Sequence, residues 1–486
     1  MLFNSFEFIF LFLPITFFLY FFLLQKNLIT IAKIFLVFSS LFFYSWWNIL
    51  YLPIIIGSIL VNYTIGNKLN QNSKNCKFSK KSFLMLGIVL NISLLGYFKY
   101  TDFFIENFNL ISQSDIQLLH LALPLAISFF TFQQISYLID SYRKETKEYS
   151  FLNYALFVTF FPQLIAGPIV HHKEMMPQFL ENQNNIKNYK NISMGLFIFS
   201  IGLFKKVIIA DIFSTWATQG FDVSTTLNFL EAWVTSLSYT FQLYFDFSGY
   251  TDMAIGIALF FNIKLPINFN SPYKAINIQD FWKRWHITLS RFLRDYIYIP
   301  LGGNREGNFR TYSNLMITFL IGGLWHGAEW TFIFWGFLHG MALIIHKMWS
   351  HLNFKLWSWI GWFITFNFIN ITWVFFRAKE WEDATKVLKS MFNLNNIVLP
   401  EQLSDKLAFL SNYGVEFELY LENIDGSTKT IPMIIIILLI IVLSKNSIQK
   451  LQEFKLNYQT VLFTVTTFFI AVISLDKLSE FLYFNF

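Results

Sequence analysis

The sequence predicts an all-α protein, a polytopic membrane helix bundle read as one integral domain over residues 1–486. Three observations carry that reading. The chain is only 14% charged, with mean hydropathy +0.47, whereas soluble domains carry about a quarter charged residues. It is 55% hydrophobic, and 62 of its 486 residues are phenylalanine. Apolar runs of crossing length recur from one end to the other. A water-soluble enzyme is excluded. The single cysteine, Cys76, excludes an internal disulfide framework, a cysteine-rich zinc site and an iron–sulfur cluster.

A helix needs about 17 to 25 residues to cross the hydrocarbon layer. Candidate runs lie near 6–24, 28–47, 49–65, 83–98, 118–139, 151–170, 193–213, 229–247, 249–263, 312–325, 327–347, 356–376, 431–444 and 458–475. Some are short or interrupted, so the expectation is roughly ten to twelve transmembrane helices plus re-entrant and interfacial pieces. The first run follows no basic region and precedes no small-residue cleavage site, which marks it as a retained helix.

Loop charge sets the sides. Residues 66–82 hold Lys68, Lys74, Lys77, Lys80 and Lys81 without an acid, so this loop is expected in the cytoplasm. Residues 101–117 hold Asp102, Glu106 and Asp115 without a base, and 140–150 return to Arg143, Lys144 and Lys147. Counting back over three helices puts the N-terminus outside. Residues 393–430 carry Glu401, Asp405, Glu416, Glu418, Glu422 and Asp425 against Lys406 and Lys429, so this long loop is expected outside. The net charge of +6 thus reports topology, and no nucleic-acid partner is expected.

Several chemistries are missing. Neither common His–Asp acyltransferase motif is present, nor H-E-x-x-H, a Walker A loop or G-x-G-x-x-G. Ser248 lacks the first glycine of a nucleophile elbow.

What is present centres on two histidines. His326, in Gly322-Gly323-Leu324-Trp325-His326-Gly327, lies between two apolar runs, far from the nearest basic loop. An ionisable group at depth is costly and marks function by default; the competing reading is a neutral histidine bonded to a neighbouring helix. The flanking glycines permit close backbone approach or a local break. His339 is thirteen residues on, about 220° round a helix, and reads as structural.

Residues 279–303 form the second stretch. On a helical wheel Phe281, Trp282, Trp285, Leu289, Phe292, Leu293 and Tyr296 make one apolar stripe, with Lys283, Arg284, Arg291 and Arg294 opposite. His286 falls with the apolar stripe. This predicts one interfacial amphipathic helix on the cytoplasmic face, turning His286 toward the core. Seven basic residues over 274–310 could also attract a phosphate-bearing donor.

Gln242, Asp246 and Tyr250 are spaced to share one helix face. A buried carboxylate must be paired or protonated, so Asp246 is expected to pair with an arginine of the 284–294 helix. Phe161-Pro162-Gln163-Leu164-Ile165-Ala166-Gly167-Pro168-Ile169, with two prolines six residues apart, reads as a broken or re-entrant helix lining a cavity.

At these residues the chain resembles the membrane-bound O-acyltransferase (MBOAT) family, in its bacterial alginate-O-acetylase-like branch. The resemblance rests on 161–169, Tyr244-Phe-Asp-Phe-Ser-Gly-Tyr-Thr-Asp252, the 281–303 stretch, Trp325-His326-Gly327, Leu2-Phe3-Asn4-Ser5 and the aromatic end 481–486. It implies acyl transfer to a hydroxyl, with His326 catalytic and His286 the second family histidine. Trp325, Trp282, Trp285, Asp246, Gln242 and Arg291 are then expected along the substrate path. No metal and no bound cofactor is expected. The donor substrate would be an acyl thioester, acetyl-CoA or an acyl carrier, reaching a central tunnel from the cytoplasm. A cell-envelope polysaccharide or an extracytoplasmic acetyltransferase that relays the group would receive it beyond the bilayer. The location implied is the bacterial inner membrane. Two other readings remain open here: a D-alanyl transfer protein of teichoic acid synthesis, and a permease in which His326 gates and does not react.

Overall fold

The computed structural model of the chain describes residues 1–70, 79–146, 148, 150–352, 354–475 and 481–482. Cys76, Lys74, Lys77 and Lys147, and the last four residues of the aromatic C-terminus, fall outside the described residues.

The fold is all-α. Among the described residues the one sheet is a parallel pair, Ile397–Pro400 with Val415–Glu418, inside the acidic 393–430 loop. Among the described residues five helices are long and apolar enough to cross a membrane: Glu7–Gln25, Ile49–Asn70, Lys80–Lys99, Trp330–His351 and Ser358–Arg377. Three shorter apolar helices are Ile29–Ser45, Thr430–Leu443 and Tyr458–Ile473. Their surfaces are inverted relative to a water-soluble protein. Phe18, Phe38, Ile345 and Phe363 are more than half exposed, while polar side chains face inward.

The chain divides into two compact units. The first comprises Met1–Leu203, Tyr250–Asn268 and Leu451–Phe486. In it the buried amides Asn62 and Asn91, on two spanning helices, bond to each other reciprocally at 2.6 and 3.2 Å. Such pairing is what lets a polar side chain sit between helices where no water can serve it. The 151–170 run is broken as the prolines require. It forms Phe151–Thr159 and Phe161–Leu164, then a turn in which a Cβ on Gly167 would lie 2.4 Å from the Gln163 Cα. The 118–139 run becomes helical only at Ile127, because Pro124 and the left-handed Ala126 (φ 60°) delay its start.

The second unit comprises Phe204–Gly249 and Phe269–Lys450. Two expectations are corrected along its elements. The runs 229–247 and 249–263 are not separate: Phe229–Phe260 is one helix of 32 residues, and Gly249 lies inside it. An interior glycine costs a helix only about 1 kcal/mol, too little to break one that is packed on all sides. The 279–303 stretch is not one helix either. It folds as Ile278–Trp282, a turn, Ile287–Leu293 and a π-helical turn over Arg294–Tyr298. The break falls at His286, whose backbone is left-handed (φ 42°, ψ 56°). A wheel drawn through all 25 residues assumes a continuous backbone, and that conformation ends it.

Candidate active site

Every residue expected along the substrate path lies in the second unit. Gly307–His326 and Trp330–His351 form its helical hairpin, joined across Gly327. The two helices touch backbone to backbone. A Cβ on Gly323 would sit 2.4 Å from the Phe332 carbonyl oxygen, and one on Gly336 would sit 2.4 Å from that of Phe319. Gly327 is similarly confined, 2.2 Å from the Phe332 ring. This crossing holds His326 at the C-terminal end of its helix, where it is 3% exposed.

Aromatic rings wall His326. Its imidazole lies edge-on to Trp335 (centroids 5.2 Å, 88°), Phe376 (5.0 Å) and Trp325 (4.9 Å). Trp325 is also 6.2 Å from His286, so the two family histidines flank one indole. His286 is fully buried, edge-on to Phe247 at 4.8 Å. Its break in the helix is what turns it inward, as expected, though by a backbone device invisible to a helical wheel. A left-handed non-glycine residue costs of order 1–3 kcal/mol, and such strain concentrates at functional positions.

His339 is fixed on both nitrogens. The Trp282 indole, which can only donate, gives its N–H to His339 Nδ1 at 3.2 Å. In the neutral ring the proton is therefore on Nε2, which meets Thr372 Oγ1 at 3.2 Å. The Thr372 hydroxyl in turn donates to the Ile369 carbonyl. His339 is thus a strut for Trp282, in keeping with its structural reading. Trp285 is stacked on Phe281 (5.7 Å, 15°) and lies 5.0 Å from Trp373.

Asp246 corrects another expectation. Its carboxylate pairs with Lys206, which also reaches the partly exposed Asp211 at 3.2 Å; Asp246 and Lys206 are both buried. Arg284 and Arg294 are engaged elsewhere, by Asp280 (2.8 Å) and Asp295 (2.7 Å) on their own segment. Lys206 and its neighbour Lys205 begin a π-helical turn, Lys205–Ala210. Lys205 donates to Ser447 (3.0 Å) and Ser248 (3.4 Å). These lysines were missed, although a signal existed: two adjacent charges inside the apolar 193–213 run. Gln242 keeps its amide Oε1 buried with no hydrogen-bond partner among the described residues.

A cavity of about 850 Å³ opens beside this cluster. Trp282, Arg291 and Leu293 line it together with Lys283, Arg294, Arg305 and Lys347, and no carboxylate is among its lining residues. Thr318, also in the lining, shares a helix face with Gly322 and His326, each four residues apart. The Leu293 side chain packs on Gly322. Trp282 is edge-on to Trp335 at 5.8 Å. From the cavity inward the order is Trp282, Trp335, His326. The cavity is lined by basic side chains, and a run of touching aromatic rings connects its wall to His326.

That arrangement suits a charged donor whose reacting end is small and apolar. Comparison with known proteins assigns the class. A model of the membrane-bound O-acyltransferase family matches residues 140–379, and the chain belongs to that family. It is an O-acyltransferase of the alginate-type O-acetylation branch, which sets the permease reading aside. The chain is 52% identical to a peptidoglycan O-acetyltransferase of Helicobacter pylori, over 100% of its own length and 98% of the relative's. It is 40% identical to a probable alginate O-acetylase of Pseudomonas putida, over 82% of each. A teichoic acid D-alanyltransferase of Streptococcus thermophilus matches at 29%, over 46% of this chain and 57% of the relative.

Proposed function

We propose that this chain, acting as one catalytic membrane domain, moves an acetyl group from a cytoplasmic thioester to a hydroxyl of a cell-envelope polysaccharide. Peptidoglycan is the foremost acceptor. The observation that carries the reading is the end-to-end likeness, at 52% identity, to a peptidoglycan O-acetyltransferase. The likeness to D-alanyltransferases is lower and covers about half the chain.

In this reading acetyl-CoA or an acetylated carrier docks its phosphate in the basic cavity, and the thioester passes Trp282 to reach His326. His326 takes the proton of the acceptor hydroxyl as general base, a role suited to imidazole near neutral pH. His286, on the other side of Trp325, orients the reacting groups. Gln242, with an acceptor oxygen to spare, is a candidate contact for the incoming hydroxyl. Donor and acceptor enter a tunnel from opposite sides of a bacterial inner membrane, with the N-terminus outside. An extracytoplasmic acetyltransferase is a candidate relay. Neither a metal nor a bound cofactor takes part.

The test is reconstitution of the full chain in lipid vesicles with radiolabelled acetyl-CoA and soluble peptidoglycan fragments. Label should reach the glycan with the native protein and not with His326→Ala. Labelled D-alanyl carrier consumed in preference to acetyl-CoA would replace this reading with the teichoic acid one.

A further inference from the structure

The chamber around His326 contains a chemical group that the scheme above leaves unused. The indole nitrogens of Trp335 and Trp373 are buried, and neither has a hydrogen-bond partner among the described residues. Both side chains are 1% exposed. The two rings stack on each other, 5.6 Å apart and 16° from parallel. An indole N–H can donate and nothing else. Left without an acceptor it destabilises the fold, and a phenylalanine would fill similar space without that cost. The neighbouring Trp282 shows that an indole in this unit can be satisfied locally: its N–H is bonded to His339.

Trp335 also has the right position. It lies edge-on to His326 at 5.2 Å, and on its other side to Trp282, which lines the basic cavity. Trp335 is thus the ring that bridges the cavity wall at Trp282 and the His326 imidazole. We propose that the Trp335 indole N–H is the oxyanion donor of the acyl transfer, and hence a catalytic residue. The inference rests on the general-base reading of His326.

The step balances as follows. The acceptor hydroxyl oxygen attacks the thioester carbonyl carbon while His326 takes its proton. The carbonyl π pair moves onto oxygen, and the resulting oxyanion accepts the hydrogen bond from Trp335. The C=O bond then re-forms, the C–S bond breaks, and the imidazolium returns its proton to the departing thiolate. The products are an ester and a thiol. A donor set in place before reaction, in a site closed to water, is the arrangement that stabilises such charge best.

The experiment compares native protein, Trp335→Phe, Trp373→Phe and His326→Ala in vesicles, measuring kcat, KM for acetyl-CoA and thermal unfolding. Removing one oxyanion donor costs about 10²–10³ in kcat. Trp335→Phe should show that loss with KM for acetyl-CoA within about threefold and a melting temperature equal to or above native. Loss of a merely structural ring would instead lower the melting temperature. Trp373→Phe, one ring further from His326, should lose less than about tenfold. If Trp335→Phe fails to insert, benzothienylalanine at position 335, which carries sulfur where the indole has N–H, must reproduce the kcat loss. Native-like kcat in Trp335→Phe or in the benzothienylalanine protein overturns the proposal while leaving His326 in place. Native-like turnover in His326→Ala overturns the reading on which it rests.

Discussion

The two compact units differ in which buried polar groups they leave unpaired. In the first, most inward-facing amides and carboxylates are tied to a neighbour, Asn62 to Asn91, Gln134 to Ser58 and Tyr154, His171 to Asp140, and the Thr131 and Ser141 hydroxyls and the Gln163 Oε1 are among the atoms left over. In the second, the chamber around His326 holds indole nitrogens that nothing among the described residues satisfies. A buried donor without an acceptor costs about 1–3 kcal/mol. The contrast teaches where to look for chemistry in a chain this apolar. Paired groups hold the bundle, whereas an indole N–H beside the candidate histidine, able to donate and nothing else, is placed to meet an acceptor that arrives.

Substitutions on the two sides should therefore fail differently. The largest effect is expected at His326. His326→Ala should bring acetyl transfer down by about 10⁴-fold or to background, with insertion retained, since loss of a general base removes a term of that size. Wild-type turnover from the reconstituted variant would end the catalytic assignment.

Next comes His286→Ala, expected to slow transfer by about 10²- to 10⁴-fold, the range for a lost acid–base or positioning group. Turnover within a few-fold of native would make His286 part of the wall.

His339→Phe probes a polar group that is buried but satisfied. Without it the Trp282 N–H loses its acceptor, while the Thr372 hydroxyl keeps its bond to the Ile369 carbonyl, so thermal unfolding should report a loss of about 1–3 kcal/mol. Activity should follow only through Trp282, by roughly tenfold or less. A loss of turnover as deep as that of His326→Ala, at native stability, would mean that His339 reacts.

The smallest effect is expected in the first unit. Asn91→Ala should cost about 0.6 kcal/mol, the average for a hydrogen bond between membrane helices, and leave kcat unchanged. A change in kcat there would dissolve the distinction between a supporting unit and a reacting one.

Much of this was legible before any coordinates. The helical class followed from composition, the break at 161–169 from its two prolines, and His326 from the cost of an ionisable group between apolar runs. The hairpin contact was visible in Gly323 and Gly327, whose missing side chains it requires. Other features were not legible because they depend on conformation or distant pairing. His286 reaches the core through a left-handed backbone that periodicity cannot report. Asp246 found Lys206, forty residues earlier, while Arg284 and Arg294 were met by nearer acids at positions 280 and 295. Trp335 carried no signal at all, since one tryptophan among 15 becomes informative only when its neighbours are known.

The contact of Gly323 with Phe332 and of Gly336 with Phe319 has a mechanical consequence. Two rods pressed together at bare backbone cannot slide past one another by even a fraction of a turn without collision, because no soft side chain lies between them to deform. The hairpin that ends in His326 behaves as a weld. The two helices of this hairpin therefore keep one register, and the position of His326 is fixed with it.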